Sequence, residues 1–319
     1  MTHVLALDLG GTKTTAALVR LGGVGGVGGE DDARAEVVDR VSAPTPAMQG
    51  AAAIVANAVA VMAAVAARGG AAGLDAPVAV GLASAGVIDP VDGRVTHATD
   101  SLRGWAGTDL VGPFRQHFGL PVAALNDVHA HGLGEAVFGA GRGHASVLLV
   151  AVGTGIGGCH VLEGAPVIGA HFAAGHLGHL ASPEAGDLLC SCGRRGHLEG
   201  LASGPGIHAQ FVARGGAAAD TREVSSMAAG GDALATTVVR EAGFATGRVI
   251  GGLLNTIDPD VVVLTGGVSE IGPLWSDAVA DGVRHDAMDA VATTPVVPAA
   301  AGVEAALLGA AHWALVSHS

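Results

Sequence analysis

The chain has 319 residues, half of them hydrophobic, with a net charge of −13 and three cysteines. The length allows two lobes with separate cores, and an acidic balance without basic runs argues against nucleic acid as a partner. Three cysteines cannot make a fully paired disulfide framework, so the thiols point to a reducing cytoplasm.

Met1-Thr2-His3 lead directly into a strand-like segment, without the basic region of a secretory signal. The alternation from His3 to Leu9, the turn Gly10-Gly11-Thr12-Lys13 and the return from Thr14 to Val19 predict a β-hairpin. Gly22 to Gly29, followed by Glu30, Asp31 and Asp32, reads as a mobile hairpin tip, with a third strand over Ala35 to Val41. Pro46 opens an alanine-rich helix that ends near Gly69-Gly70. Its apolar run, Ala51 to Ala67, is broken by Asn57 and falls short of the roughly 20 apolar residues of a membrane span. It is therefore read as a buried core helix, with no membrane partner.

Val78 to Leu82 predicts a short strand feeding the turn Ser84-Ala85-Gly86, and Val122 to Leu125 another that runs into Asn126-Asp127 and a helix over Val128 to Phe138. Ser146 to Val152 is a further buried strand, followed by a glycine turn at Gly153 to Gly158 and a strand through Leu162. A long helix over Ala233 to Ile257 stops at Asp258-Pro259; Val261 to Leu264 is again a strand, ending in Gly266-Gly267; Ala301 to Val316 is an apolar helix. The strand-turn-strand module thus occurs at residues 3–19 and again at 146–162, which predicts a duplicated α/β lobe. The expected division is an N-terminal lobe over 1–124, with the helix at 303–319 packing back on it, and a C-terminal lobe over 125–302.

Four segments carry chemistry. In Asp8-Leu9-Gly10-Gly11-Thr12-Lys13 the glycines let backbone N–H groups approach phosphate oxygens, and Asp8 suits a hydrated Mg²⁺; the same residues read equally as an ordinary glycine hairpin. Lys13 is the only lysine in the chain. Gly153-Thr154-Gly155-Ile156-Gly157-Gly158 lacks the strand-to-helix setting of a dinucleotide fingerprint, but with the first turn it would make a phosphate clamp. Gly266-Gly267 reads as a turn on the nucleoside side, or equally as a helix-start turn. Asn126-Asp127 reads as a carboxylate able to accept the proton of an attacking hydroxyl, or as a helix cap. Finally His179, Cys190, Cys192 and His197 read as soft and imidazole ligands suited to a closed, structural Zn²⁺ site, or as buried thiols and solvated histidines, with His176 and Glu199 beside them as polar groups that could grip a substrate.

Taken together, Asp8-x-Gly-Gly-Thr-Lys13, Asn126-Asp127, Gly153-Thr154-Gly155-x-Gly-Gly158, Gly175-x-x-Gly-His179 and Cys190-x-Cys-Gly-x-x-Gly-x-x-Glu199 resemble the sugar kinases of the ROK family, across essentially the whole chain. The resemblance implies an α/β, two-lobed, actin/hexokinase-like (ribonuclease H-like) fold with mixed sheets and an inter-lobe active-site cleft. It implies ATP phosphates bound at the first and second glycine loops, with Asp8, Gly10, Gly11, Thr12, Lys13, Gly153, Thr154 and Gly155, and Asp127 as the catalytic base; Gly266 and Gly267 join the expected nucleotide site only through the reading of their turn. Sugar contacts would come from Gly86, Val87, Thr99, Asn126, Asp127, His176, His179 and Glu199, with a homodimer or homotetramer as the assembly.

Two departures shape the expectation. His197 stands where the family has a third cysteine, so the metal segment 175–199 would hold Zn²⁺ as Cys₂His₂. His176 stands where glucokinases of the family have Glu, and the Gly-His-x-Gly-His form resembles bacterial N-acetylmannosamine kinases. The expected activity is ATP-dependent phosphorylation of the 6-hydroxyl of N-acetylmannosamine, with glucokinase as the alternative. A sugar-sensing repressor is disfavoured by Asp8 lying so near the first residue, and a non-catalytic sugar binder by the presence of Asp8, Lys13 and Asp127.

Overall fold

In chain order the elements are β1 (Thr2–Leu9), β2 (Lys13–Gly22), β3 (Arg34–Pro44), α1 (Ala51–Ala71), β4 (Val80–Ser84), β5 (Val87–Ile88), β6 (Val95–His97), α2 (Val111–Phe118), β7 (Val122–Asn126) and α3 (Asp127–Phe138). There follow β8 (Ser146–Val152), β9 (Ile156–Leu162), β10 (Ala165–Pro166), α4 (Leu198–Ala202), α5 (Gly204–Ala213), α6 (Thr221–Ala229), α7 (Ala233–Ile257), β11 (Val261–Thr265), α8 (Pro273–Asp286), β12 (Val296–Pro298) and α9 (Ala305–Val316). This computed structural model describes residues 1–23 and 33–317. The expected glycine-rich tip therefore lies, from Val24 to Asp32, outside the described residues.

The chain forms two compact units: Met1–Ala145 with Cys159–Ala174 and Ala300–Ser319, and Ser146–Gly158 with Gly175–Ala299. The sequence reading places its boundary at 124/125, but the first unit runs on to Ala145, because α3 packs on α9 and both belong to it.

In the first unit the sheet order is β3-β2-β1-β4-β7. β1 pairs antiparallel with β2, Asp8 opposite Thr15, and parallel with β4, Asp8 beside Ala83. The continuous apolar run of β1 is explained by burial on both faces. Leu5, Leu7 and Leu9 pack with Ile54, Val61 and Met62 of α1, while Val4 and Ala6 pack with Leu307, Leu308 and Ala311 of α9. α1 is long and apolar enough to cross a membrane, yet it is a half-buried helix on this sheet: Ile54, Ala58, Met62 and Val65 face inward, and Ala52, Ala56, Ala60 and Ala64 face out. The expectation of a buried core helix is thus met on one face only; alanine, not charge, fills the outer one.

α9 is buried all round, nine of its 12 residues, including His312. It crosses α3 so closely that a Cβ on Gly309 would run into the carbonyl oxygen of Ala130, and one on Gly134 into that of Ala305. Glu135, fully buried, closes the crossing: it accepts N–H bonds from Ala140 at 2.9 Å, Ala300 at 3.0 Å, Ala301 at 2.8 Å and Gly302 at 3.2 Å.

The second sheet runs β10-β9-β8-β11-β12, with β11 parallel to β8 and to β12. Its central strand β8 lies between a glycine-turn return strand and a parallel strand, as β1 does in the first sheet, so the repeated module of the sequence has a repeated place in the topology. In the second unit α7 packs along α8, and Val238, Ala242, Ala245, Ile250 and Leu254 join Trp275, Val279 and Val283 in one core.

Gly309→Ala should destabilise the protein by about 1–3 kcal/mol, since neither the Ala130 carbonyl nor the packed helix can give way. A urea midpoint equal to that of the wild type would refute the closeness of the α3–α9 crossing.

Candidate active site and metal centre

In the first unit the turn after β1 is fastened from β3's end. Gly10 N–H bonds the Lys13 carbonyl at 3.1 Å, Thr45 N–H the Thr12 carbonyl at 3.0 Å, and the Thr45 hydroxyl donates to the Gly10 carbonyl at 2.7 Å. Thr12 and Lys13 remain exposed, so the turn offers a hydroxyl and an ammonium to solvent. Asp8 lies just inside. Burial first, then the charge of Asp127, pushes its pKa up to about 6, with Lys13 acting the other way. A carboxylate pair of this kind suits a divalent cation, whose charge would relieve both the desolvation and the repulsion. Asp8 thus fits the Mg²⁺ role, and its carboxylate and that of Asp127 belong to one electrostatic neighbourhood.

Asn126 and Asp127 sit where β7 turns into α3. The Asn126 side-chain oxygen caps α3, accepting from the N–H groups of Val128 at 3.0 Å and His129 at 3.2 Å. Its amide donates to the Gly86 carbonyl and to Asp127 Oδ1, both at 2.9 Å. The cap and the candidate site therefore coincide: capping fixes Asn126, and Asn126 orients the carboxylate next to it. Gly86 has φ +103°, Val87 is buried in β5, and the exposed Thr99 hydroxyl bonds Ser101 Oγ at 2.9 Å. So the structure brings Asp8, Gly86, Asn126 and Asp127 together in the first unit. The groove between α1 and α2, about 900 Å³ and lined by Ala52, Ala56, Pro113 and His117 among others, holds none of the candidate residues.

In the second unit the turn after β8 is closed by Gly153 N–H on the Gly155 carbonyl at 2.9 Å, while Gly204 N–H bonds the Gly153 carbonyl at 2.8 Å. Thr154 and Gly155 stay exposed. The Gly266-Gly267 turn follows β11; Gly266 has φ +93° and packs on Val152, whose carbonyl accepts the Val268 N–H at 3.0 Å.

The segment 175–199 gathers the four expected ligands. The ligand atoms of His179, Cys190, Cys192 and His197 all lie within 4.8 Å of one another. Cys190 Sγ is 3.5 Å from His179 Nδ1, and Cys192 Sγ is 3.3 Å from His197 Nδ1. Zn–S and Zn–N bonds of about 2.3 and 2.0–2.1 Å at a tetrahedral angle place sulfur and nitrogen about 3.5 Å apart. The residues therefore fit Zn²⁺, which both rings would bind through the Nδ1 that each turns toward a thiol. Burial first pushes the His179 pKa down, against the charge of Glu199, so the imidazole is held in the neutral form a metal needs. His176 is exposed, its ring stacked at 6.1 Å on that of His179. Glu199, in the first turn of α4, accepts the Ile156 N–H at 2.9 Å.

Several supporting residues escape sequence reasoning. Thr45 lies over thirty positions from the turn that it fastens, with no motif around it. Arg248 of α7 bonds both Asp286, at 2.8 Å, and Glu184, at 2.5 Å, and Glu184 in turn accepts from Ser182 at 2.8 Å, which ties the metal segment to the core. Ser191, between the two thiols, is visible in the sequence only as a spacer.

Two outcomes follow for solution. The raised Asp8 pKa means that the folded chain holds a proton that the unfolded chain releases, so stability falls as pH rises from about 3.8 to about 6. Asp8→Asn should remove that slope in thermal melts of the ligand-free protein; an unchanged slope would refute it. Cys190→Ser should lose zinc by elemental analysis, and a full complement in the variant would refute the four-ligand set.

A family model described as the ROK family matches residues 4–317. The chain is 32% identical over 327 residues to the N-acetylmannosamine kinase of Yersinia pseudotuberculosis, covering 98% of each. It is 32% identical over 210 residues to the glucokinase of Halalkalibacterium halodurans, where the match spans 61% of this chain and 63% of that protein. Among solved structures, the ROK hexokinase from Thermus thermophilus has a TM-score of 0.82 at 31% identity, covering 99% of each chain. The ROK glucokinase from Streptomyces griseus, in complex with glucose and AMPPNP, has a TM-score of 0.76 at 28% identity, covering 98% of this chain and 99% of that one. The fold is accordingly the mixed α/β, actin/hexokinase-like one. With the family match running almost from end to end, the chain belongs to the ROK family.

Proposed function

We propose that the protein is an ATP-dependent sugar kinase that transfers the γ-phosphoryl group to the 6-hydroxyl of N-acetylmannosamine. The observation that carries the reading is the pairing of Asp8 with Asp127 beside the Gly10–Lys13 turn: a candidate base next to a carboxylate suited to Mg²⁺. In phosphoryl transfer the transition state is loose, so orienting the attacking hydroxyl matters more than removing its proton early. Asp127, held by Asn126 and by its place at the start of α3, accepts that proton.

In the first unit Asp8, Gly10, Gly11, Thr12 and Lys13 receive MgATP, and Gly86, Val87, Thr99 and Asn126 contact the sugar. In the second unit the turns at Gly153, Thr154, Gly155 and at Gly266, Gly267 serve the nucleotide, and His176, His179 and Glu199 read sugar hydroxyls. His179, Cys190, Cys192 and His197 would hold a structural Zn²⁺; His179 turns Nδ1 toward the Cys190 sulfur, which leaves Nε2 for the sugar. The thiols stay reduced in the cytoplasm, and the working assembly is a homodimer or homotetramer.

His176 supports N-acetylmannosamine over glucose. An imidazole offers one hydrogen bond and no fixed charge where glucokinases of the family present a carboxylate. The Yersinia relative, aligned over 98% of both chains, is an N-acetylmannosamine kinase. A second reading, glucokinase, is supported by the Halalkalibacterium relative at the same identity over a shorter span.

ADP release with MgATP is expected to be fastest with N-acetylmannosamine, compared with glucose and N-acetylglucosamine at matched concentrations. A preference for glucose would make His176 a tolerated variant and the protein a glucokinase. Asp127→Asn should lower kcat by roughly 10²–10⁴-fold while leaving sugar affinity largely intact. Near-normal turnover in that variant would remove Asp127 from the role of base.

A further inference from the structure

Glu199 is gripped at both carboxylate oxygens. Oε2 accepts the backbone N–H of Ile156 at 2.9 Å, and Oε1 accepts the hydroxyl of Ser191 at 2.5 Å. The first donor comes from the start of β9, the second from the residue between Cys190 and Cys192. A carboxylate held by one donor still turns about its last side-chain torsion, which is broad and roughly two-fold. With a donor on each oxygen its plane is fixed, and each oxygen keeps a lone pair for a substrate hydroxyl.

Ser191 is well placed to hold that plane. Both of its neighbours belong to the four-ligand set, and the loop is closed by Cys190 N–H on the Arg194 carbonyl at 2.8 Å and Gly193 N–H on the Cys190 carbonyl at 2.9 Å. The hydroxyl is left with little beyond its own side-chain rotation. Nothing in metal binding requires a hydroxyl at this position, since the two thiols need only a spacer. A Cβ at Gly155 would lie 2.9 Å from Glu199 Oε2, so the carboxylate is also bounded from the glycine turn.

We propose that Ser191 is a positioning residue, whose hydroxyl transmits the rigidity of the metal-ligand loop to the Glu199 carboxylate and so sets sugar affinity. The inference rests on the reading of Glu199 as a sugar contact. Ser191 is exposed, so water replaces part of the lost bond in a truncated variant and the effect is a moderate one.

The test uses the full chain purified with its metal, in the variants Ser191→Ala, Ser191→Thr and Glu199→Gln. Zinc is counted by elemental analysis, the affinity for N-acetylmannosamine and for glucose is read by calorimetry, and KM and kcat are measured with MgATP. Ser191→Ala should keep the wild-type zinc content and ATP KM, and weaken binding of the preferred sugar roughly three- to tenfold. Its kcat should stay within about twofold of wild type, and Ser191→Thr, which keeps the hydroxyl, should restore affinity. Wild-type affinity in Ser191→Ala beside weakened affinity in Glu199→Gln overturns the positioning role alone. Loss of zinc in Ser191→Ala also overturns it, because the hydroxyl would then serve the metal loop. Unchanged affinity in Glu199→Gln, or no binding of either sugar by the wild type, overturns the reading of Glu199 on which it rests.

Discussion

The close crossing of α3 and α9 governs the first unit. Two glycines, Gly134 and Gly309, let the helix backbones meet, and the buried Glu135 carboxylate binds four amides, one just past the end of α3 and three from the distant segment 300–302. A carboxylate in so apolar a place is tolerable only because those amides meet its oxygens. Asn126 and Asp127 begin the helix that is held in this way. The position of the candidate base is therefore set by packing further along α3, and only then refined by the Asn126 cap. Rigidity is supplied at the far end of the helix and used at the near one.

A similar division holds in the second unit. The four metal ligands lie close together, but the surroundings give the set its direction: Arg248 draws Glu184 toward α7, and the neutral His179 ring faces the thiols through Nδ1. Replacing the third thiolate of the family pattern by His197 leaves two thiolates against the charge of Zn²⁺, so the site would be formally neutral. A neutral centre would repel the neighbouring Glu199 carboxylate less than an anionic one.

Much of this is legible in the sequence. Strand-turn-strand periodicity marks β1–β2 and β8–β9, and the span of α7 is readable because the helix has a clear stop at Asp258-Pro259. The ligand set of the metal segment is legible because it is local, within nineteen residues from His179 to His197. What escapes is what depends on distant chain meeting in space. Thr45 reaches the first glycine turn only through the β2–β3 pairing; Glu135 reads as one more polar residue on a helix until Ala300 to Gly302 arrive beside it. The outer face of α1 escapes for another reason. Alanine is compatible with burial and with exposure, so an alanine-rich run does not reveal which side meets the sheet.

The order of segments within the first unit has a consequence for synthesis. Its sheet is made early, from strands that end with β7, but the face bearing Val4, Ala6, Ala17 and Val19 is covered by α9, encoded some 180 residues after that. While the intervening chain emerges from the ribosome, that apolar face has no native cover. The nascent first unit is thus a natural client for chaperones, and it becomes self-sufficient only when nearly all of the second has been translated.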